Sequence, residues 1–139
     1  MKILLDTDVI LDFFFDRKPY VDAAAKILSL AELKQIEAYI TPIIISNVYY
    51  LLRKTASHAQ VMSQLKLLMS IINILLINKE IVLLALNSSF KDFEDALQYY
   101  SAEFDENIDA IITRNVKDYR ESNLSVQTPD EFLKYIHAF

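Results

Sequence analysis

The sequence contains neither glycine nor cysteine, and each absence excludes a class of site. Phosphate-binding loops and dinucleotide-binding motifs need glycine, because the backbone has to approach the phosphates closely. Disulfides and thiolate metal sites need cysteine. Without glycine, left-handed backbone positions fall to the next most tolerant residues. We expect them among the asparagines that lie near predicted turns or helix ends, which are Asn78, Asn87, Asn107 and Asn123.

Long apolar runs and an excess of positive charge are also missing from the 139 residues. A membrane span needs roughly 18 apolar residues, and polar residues interrupt the longest candidate, residues 71–86. Two aspartates in the first apolar stretch argue against a signal peptide. The net charge of −5 argues against a general polyanion binder but permits a local basic rim. These features predict one soluble, cytoplasmic domain over residues 1–139, with no membrane partner.

Short apolar strands alternate with amphipathic helices along the chain. The predicted strands are residues 3–5, 37–40, 73–77, 109–113 and 125–127. The predicted helices are residues 8–15, 20–33, 42–54, 57–70, 79–88 and 90–103, with a last helix from residue 129. Ser57 with Gln60, and Ser89 with Asp92, have the spacing of helix-capping pairs. Strands separated by helices predict an α/β sandwich with a largely parallel sheet.

Asp6 directly follows the first predicted strand. In open α/β sheets, ligands bind outside the carboxyl ends of the strands. A carboxylate at that position is suited to a hard cation such as Mg²⁺ or Mn²⁺. The alternative is that Asp6 or Asp8 only caps the helix that follows, since aspartate is a favoured N-cap residue.

Three further elements bring polar residues toward the same edge of the sheet. Asn47 lies in the second turn of the helix after the second strand, and Asn115 and Asp118 follow the fourth strand. Asp92 and Asp95 are three residues apart, so they share a helix face. Each acid has a local explanation, because helix N-termini favour carboxylates. No such local explanation accounts for their convergence at one edge of the sheet. Carboxylates that lie close together repel one another and are normally held by a divalent cation.

Five segments together carry a resemblance to a known family. They are residues 4–12 (LLDTDVILD), 41–47 (TPIIISN), 92–98 (DFEDALQ), 109–119 (DAIITRNVKDY) and 128–133 (TPDEFL). In their order and spacing, over nearly the whole chain, they resemble PIN-domain proteins and in particular the small ribonucleases of VapC type. The resemblance implies a three-layer sandwich with a mostly parallel sheet of four to five strands flanked by about seven helices.

The same resemblance implies a metal-dependent endoribonuclease that uses one or two Mg²⁺ or Mn²⁺ ions. By position, Asp6 and Asp95 match the catalytic aspartates of the family, and Asp92 and Asp118 are further candidate metal ligands. Two positions depart from the pattern. Asn47 lies where the family usually has glutamate, and Asn115 lies where it often has aspartate. The site therefore has two fewer negative charges, which should weaken metal binding.

Several neighbours complete the predicted site. Thr7, Asp8 and Thr113 are expected to line it with Asn47 and Asn115, although Thr113 has the alternative role of ending its strand. Arg114 and Lys117, in the loop after the fourth strand, are predicted to contact RNA. The resemblance also implies homodimers and, for toxin members, a small antitoxin protein that blocks the site.

Three functions remain open from the sequence. The first is the endoribonuclease, as the toxin of a toxin–antitoxin pair. The second is a degenerate PIN domain that binds RNA or protein without cleavage, which the two asparagines favour. The third is a phosphatase of haloacid-dehalogenase type, which the spacing of Asp6 and Asp8 superficially resembles. That third class also needs a downstream lysine motif and usually a longer chain.

Overall fold

The computed structural model describes residues 1–105 and 107–137, which form a five-stranded sheet with helices on its faces. Every strand pair is parallel, and the strand order is β3-β2-β1-β4-β5. The strands are β1 Lys2–Leu5, β2 Glu37–Ile40, β3 Asn73–Ile74, β4 Ala110–Ile112 and β5 Ser125–Gln127. The predicted α/β class with a parallel sheet is confirmed.

Seven α-helices are present in the described ranges, as the sequence predicted. They are α1 Thr7–Phe14, α2 Val21–Glu32, α3 Pro42–Leu52, α4 His58–Met69, α5 Lys79–Leu86, α6 Phe93–Phe104 and α7 Pro129–His137. A 3₁₀ helix, Val116–Tyr119, follows β4. No helix in the described ranges is both long and apolar enough to cross a membrane.

The central strand β1 is buried on both faces. Ile3, Leu4 and Leu5 are each 0% exposed, as expected for a strand covered by helices on both sides of a parallel sheet. Strand β1 pairs with β2 on one side and with β4 on the other, so the strand order reverses there. In open α/β sheets such a reversal leaves a crevice beyond the carboxyl ends of the strands.

Helix starts follow the capping signals in the sequence. Thr41 accepts a hydrogen bond from the backbone N–H of Ile44, with Pro42 at the first helical position. Ser57 and Gln60 form a reciprocal capping box at the start of α4. The cap at Thr41 fixes where α3 leaves β2, and therefore which residues of α3 face the crevice.

Helix α6 begins three residues later than predicted, because Asp92 and not Ser89 is its N-cap. The ring of Phe90 packs against Tyr99 and Tyr119, with ring centroids 5.2 and 6.4 Å away, which holds the preceding segment outside the helix. Strand β3 is also shorter than predicted, at 2 residues.

The left-handed positions differ from those expected. In the described part of the chain, positive φ angles occur at Asp16 (51°) and Lys34 (61°). Asn78 and Asn87 lie at the two ends of α5, as predicted, but with φ of −108° and −97°. Their side chains explain this, since Asn78 caps the helix start and Asn87 Nδ2 donates to the carbonyl of Leu83. The extended backbone of Asn78 and the near-helical backbone of Asn87 suit these contacts, so no left-handed residue is needed at either end of α5.

Candidate active site

Asp6 lies at the carboxyl end of β1 and caps α1. Its Oδ1 accepts a 2.8 Å hydrogen bond from the backbone N–H of Thr7, and its Oδ2 accepts a 2.9 Å hydrogen bond from Thr113 Oγ1. The residue is only 8% exposed. Burial raises the pKa of Asp6 above its usual range, and the hydrogen bonds from Thr113 and Thr7 act in the opposite direction. The cap predicted from the sequence is therefore present, and it holds the carboxylate at the end of the central strand.

Thr113 reaches Asp6 because β1 and β4 end in register. Leu5 pairs with Ile112, so the next residues, Asp6 and Thr113, lie side by side. Thr113 is the first residue after β4, and its hydroxyl binds the aspartate. Its place beside Asp6 follows from the pairing of the two strands.

Asp95 occupies the first turn of α6. Its backbone N–H donates to Asp92 Oδ1 at 3.0 Å, and its Oδ1 accepts a 3.4 Å hydrogen bond from the Tyr119 hydroxyl. Burial is the main reason that the pKa of Asp95 rises to about 7. The negative charges of Asp6, Asp92 and Asp118 act in the same direction. The four carboxylates therefore share one electrostatic environment, and a bound cation would relieve their repulsion.

An open cleft of about 630 Å³ brings most of the predicted site residues together. Eight of them line it: Asp6, Thr7, Asp8, Asn47, Asp92, Asp95, Asn115 and Asp118. Thr113 is buried and does not line the cleft, but its hydroxyl binds Asp6. Arg114 and Lys117 are not among its lining residues.

Asp8 is bound mainly by the loop that follows β4. Its Oδ2 accepts hydrogen bonds from the backbone N–H of Arg114 (3.1 Å) and from Asn115 Nδ2 (3.2 Å). Burial and the nearby Asp6 charge raise the pKa of Asp8 to about 6, against the effect of the Arg114 hydrogen bond. Asn115 therefore uses its amide to hold Asp8.

Arg114 forms an ion pair inside the fold. Its Nε and Nη2 donate to the two oxygens of Asp12 at 2.7 and 3.1 Å, and its guanidinium lies 4.1 Å from the ring centroid of Tyr20. Asp12 is 1% exposed. The Arg114 side chain is thus engaged in joining the loop to α1, whereas Lys117 is exposed. The predicted RNA contact of Arg114 competes with this ion pair, while the exposed position of Lys117 leaves it accessible.

Three residues of the site were not singled out from the sequence. Glu94 lines the cleft and accepts a 3.1 Å hydrogen bond from Asn47 Nδ2. Gln98 lines the cleft and is 2% exposed. Tyr119 is 1% exposed and donates to Asp95. A signal for Gln98 was available, because it follows Asp95 by three residues and lies on the same helix face. The contacts of Glu94 and Tyr119 depend on how other elements pack.

The donor chemistry of the cleft fits a hard divalent cation. Its carboxylate and amide oxygens are the ligands that Mg²⁺ and Mn²⁺ prefer. The buried Oδ1 of Asp8 and Oε1 of Gln98 have no hydrogen-bond partner among the described residues. Such unpaired acceptors are costly unless a ligand completes them. Within residues 1–105 and 107–137, no three acidic or histidine side chains already lie close enough to hold an ion, so a cation would have to draw them together.

Comparison with known proteins assigns the fold. A family model described as PIN domain matches residues 2–117. Ribonuclease VapC1 of Aquifex aeolicus (strain VF5) is 27% identical over 136 residues, which cover 94% of this chain and 92% of that protein. The structure of VapBC-1 from nontypeable Haemophilus influenzae is similar with a TM-score of 0.69 at 21% identity, over 94% of this chain and 99% of the other. The structure of a toxin–antitoxin complex from Klebsiella pneumoniae is similar with a TM-score of 0.68 at 23% identity, over 91% of this chain and 97% of the other.

Proposed function

The chain belongs to the PIN-domain family, and we propose that it is a metal-dependent endoribonuclease, the toxin of a toxin–antitoxin pair. The observation that carries this proposal is the approach of Asp6 and Asp95 in one cleft at the reversal of strand order. Asp6 directly follows β1 and Asp95 lies in the first turn of α6, and their charges interact. The family assignment removes the phosphatase alternative.

In the proposed mechanism, Asp6 and Asp95 would hold a Mg²⁺ or Mn²⁺ ion. Asp92 and Asp118, whose charges act on Asp95, would add to the attraction for the ion. Such an ion, when bound, lowers the pKa of a water molecule and neutralises charge on the phosphate. Thr113 fixes one oxygen of Asp6, and the Tyr119 hydroxyl fixes one oxygen of Asp95. These contacts orient the two carboxylates before substrate binds. A water molecule would attack phosphorus in line and lose a proton, while the bond from phosphorus to the 3′ oxygen breaks and that oxygen takes up a proton from solvent. The products would carry a 5′-phosphate and a 3′-hydroxyl.

The openness of the cleft suits a polymer substrate. Exposed Tyr50 and Lys54 line it on the α3 side, where an aromatic face and a positive charge favour single-stranded nucleic acid. On the β4 side, Lys117 is the proposed phosphate contact. The protein is acidic overall, so RNA would be held by these few local groups.

We also propose a protein partner and a homodimer. The similar Klebsiella pneumoniae structure is a toxin–antitoxin complex, and the corresponding partner here would be a small antitoxin that covers the cleft. Helix α5 exposes Leu83, Leu84 and Leu86 by 46%, 46% and 62%. Exposed apolar side chains grouped in this way are typical of interfaces, and light scattering on the purified protein measures whether it is dimeric.

The second candidate is a PIN domain that binds RNA without cleaving it. Asn47 and Asn115 favour this alternative, because each makes a hydrogen bond to a carboxylate where a further acid would have added charge. The absence of a preassembled group of three acids in the described residues favours it too.

Incubation with RNA separates the two candidates. Purified wild type, Asp6→Ala/Asp95→Ala and the surface control Asp22→Ala are each incubated with mixed RNA in Mn²⁺, in Mg²⁺ and in EDTA. We expect metal-dependent cleavage by wild type and by the control, and none by the double variant. Cleavage that survives the double substitution contradicts the assigned site. Folded wild type that binds RNA but cuts it in neither metal supports the binding module.

A further inference from the structure

Asn47 and Glu94 join two helices across the cleft. Asn47 lies on α3 and Glu94 in the first turn of α6, and Asn47 Nδ2 donates to Glu94 Oε2 at 3.1 Å. Both residues line the cleft with Asp6 and Asp95. Glu94 is exposed, so in the absence of this bond its long side chain would be free to extend into solvent. The amide of Asn47 therefore keeps a carboxylate at the cleft.

Gln98 supplies an independent sign that the cleft takes a ligand. Its side chain is 2% exposed and lines the cleft, and its Oε1 has no hydrogen-bond partner among the described residues. A buried acceptor left unpaired costs about 1–3 kcal/mol. Gln98 follows Glu94 by four residues and Asp95 by three, so its side chain is a neighbour of each of these acids on α6. An oxygen-binding ligand beside Gln98 would satisfy its Oε1 and bring the two acids together.

We propose that Glu94, positioned by Asn47, is an additional ligand of the divalent cation that Asp6 and Asp95 bind. This inference rests on the proposed function and adds a residue to its site. In this arrangement α6 provides the carboxylate that α3 lacks, and Asn47 is a positioning residue. The neutral amide suits that role, because a glutamate at position 47 would bring two carboxylates into contact and they would repel.

Four variants test the proposal. Glu94→Gln removes the carboxylate while retaining the size of the side chain. Asn47→Glu places a carboxylate on α3, and the double variant Asn47→Glu/Glu94→Gln moves the carboxylate from one helix to the other. Glu80→Gln is the matched control, because Glu80 is an exposed glutamate in the first turn of α5 and does not line the cleft.

The main measurement is Mn²⁺ binding, from the loss of the free Mn²⁺ signal in electron paramagnetic resonance. Circular dichroism of each variant reports folding, and RNA cleavage is recorded separately. We expect Glu94→Gln to weaken Mn²⁺ binding by about 10-fold or more, a loss of the size seen when groups around a metal are removed. Glu80→Gln should bind as wild type does. Asn47→Glu should restore Mn²⁺ binding in the Glu94→Gln protein and should raise the Mn²⁺ affinity of wild type only slightly.

Three results would overturn the inference. If Glu94→Gln binds Mn²⁺ as tightly as Glu80→Gln does, Glu94 is not a ligand. This conclusion would hold even if wild type binds Mn²⁺ and cleaves RNA. If Asn47→Glu raises the affinity for Mn²⁺ equally in wild type and in Glu94→Gln, the two positions act independently. Wild type that binds no Mn²⁺ removes the proposed function and this inference with it.

Discussion

The hydroxyl of Thr113 donates a 2.9 Å hydrogen bond to Oδ2 of Asp6, across 107 positions of sequence. Thr113 is 0% and Asp6 is 8% exposed, so little water is available to replace this bond. The contact exists because β1 and β4 are adjacent and end in register. It fixes one oxygen of the carboxylate on which the site is built.

Thr113→Val replaces the hydroxyl with a methyl group of similar size. We expect the free energy of unfolding to fall by about 1–3 kcal/mol, because the buried Asp6 carboxylate loses a donor. Urea denaturation in EDTA at neutral pH measures the change. Thr113→Ser retains the hydroxyl, so its free energy of unfolding should fall clearly less than that of Thr113→Val. Equal losses in the two variants would mean that packing, and not the hydrogen bond, is what Thr113 contributes.

The stability of the metal-free protein should depend on the ionisation of Asp95. Its pKa rises from the ordinary 3.8 to about 7 in the folded protein, so the folded state holds this proton more tightly than the unfolded state does. The contribution to stability is therefore complete below pH 4 and is lost as the pH rises toward 7. Asp8, whose pKa rises to about 6, acts with the same sign.

Thermal melts in EDTA between pH 4 and pH 8 test this dependence. Asp95→Asn should flatten the profile and raise the melting temperature above pH 7, where the wild-type carboxylate is charged. Asp22→Asn, at an exposed position of α2, should leave the profile as in wild type. A profile of Asp95→Asn as steep as that of wild type would assign the pH dependence to other groups.

The Tyr119 hydroxyl lowers the pKa of Asp95 through their hydrogen bond. Tyr119→Phe removes that donor and keeps the buried ring, so the pKa of Asp95 should rise further. The increase in melting temperature on adding Mn²⁺, followed against pH, should then begin at higher pH than in wild type. An unchanged onset would show that this 3.4 Å contact has no influence on the carboxylate.

Arg114 is expected to matter more for stability than for RNA binding. Arg114→Ala leaves Asp12, 1% exposed, without its two-pronged ion pair. Arg17 Nη1 stays 3.5 Å from Asp12 Oδ1, so the carboxylate keeps one weaker partner. We therefore expect the free energy of unfolding to fall by about 1.5–3 kcal/mol, the size of a hydrogen bond to a charged group, measured by urea denaturation. Arg114→Lys should recover only part of the lost free energy of unfolding, because lysine cannot bind both oxygens of Asp12 in the same geometry.

Lys117→Ala is the comparison for Arg114. Lys117 is exposed, so its substitution should change the free energy of unfolding by less than about 0.5 kcal/mol. Its effect should appear in the affinity for RNA, measured by fluorescence anisotropy in the Asp6→Ala/Asp95→Ala background. If Arg114→Ala weakens RNA binding while stability is unchanged, the ion pair with Asp12 is not the role of this arginine.

The convergence of the acids was predictable because the carboxyl ends of parallel strands meet at one edge of the sheet. Asp6 and Asp118 could be placed from strand positions, and Asp95 from the helix that precedes β4. Glu94 could not be placed, because its contact with Asn47 depends on how α3 approaches α6. The ion-pair partner of Arg114 could not be predicted either, because Asp12 is 102 positions away in the sequence.

Local signals failed where several residues competed for one role. Ser89 and Asp92 both have capping potential before α6, and the packing of Phe90 against Tyr99 decides between them. The left-handed positions at Asp16 and Lys34 follow helices whose chain must turn sharply, and no nearby asparagine was available to mark them.

The central claim is that Asp6 and Asp95 together hold a divalent cation in the cleft. A crystal soaked in Mn²⁺, with data collected at the manganese absorption edge, tests it most directly. The account predicts an anomalous peak within coordination distance of carboxylate oxygens of both residues, and no such peak in Asp6→Ala/Asp95→Ala crystals. An empty cleft at a Mn²⁺ concentration that supports cleavage, or a peak bound by neither aspartate, would contradict it.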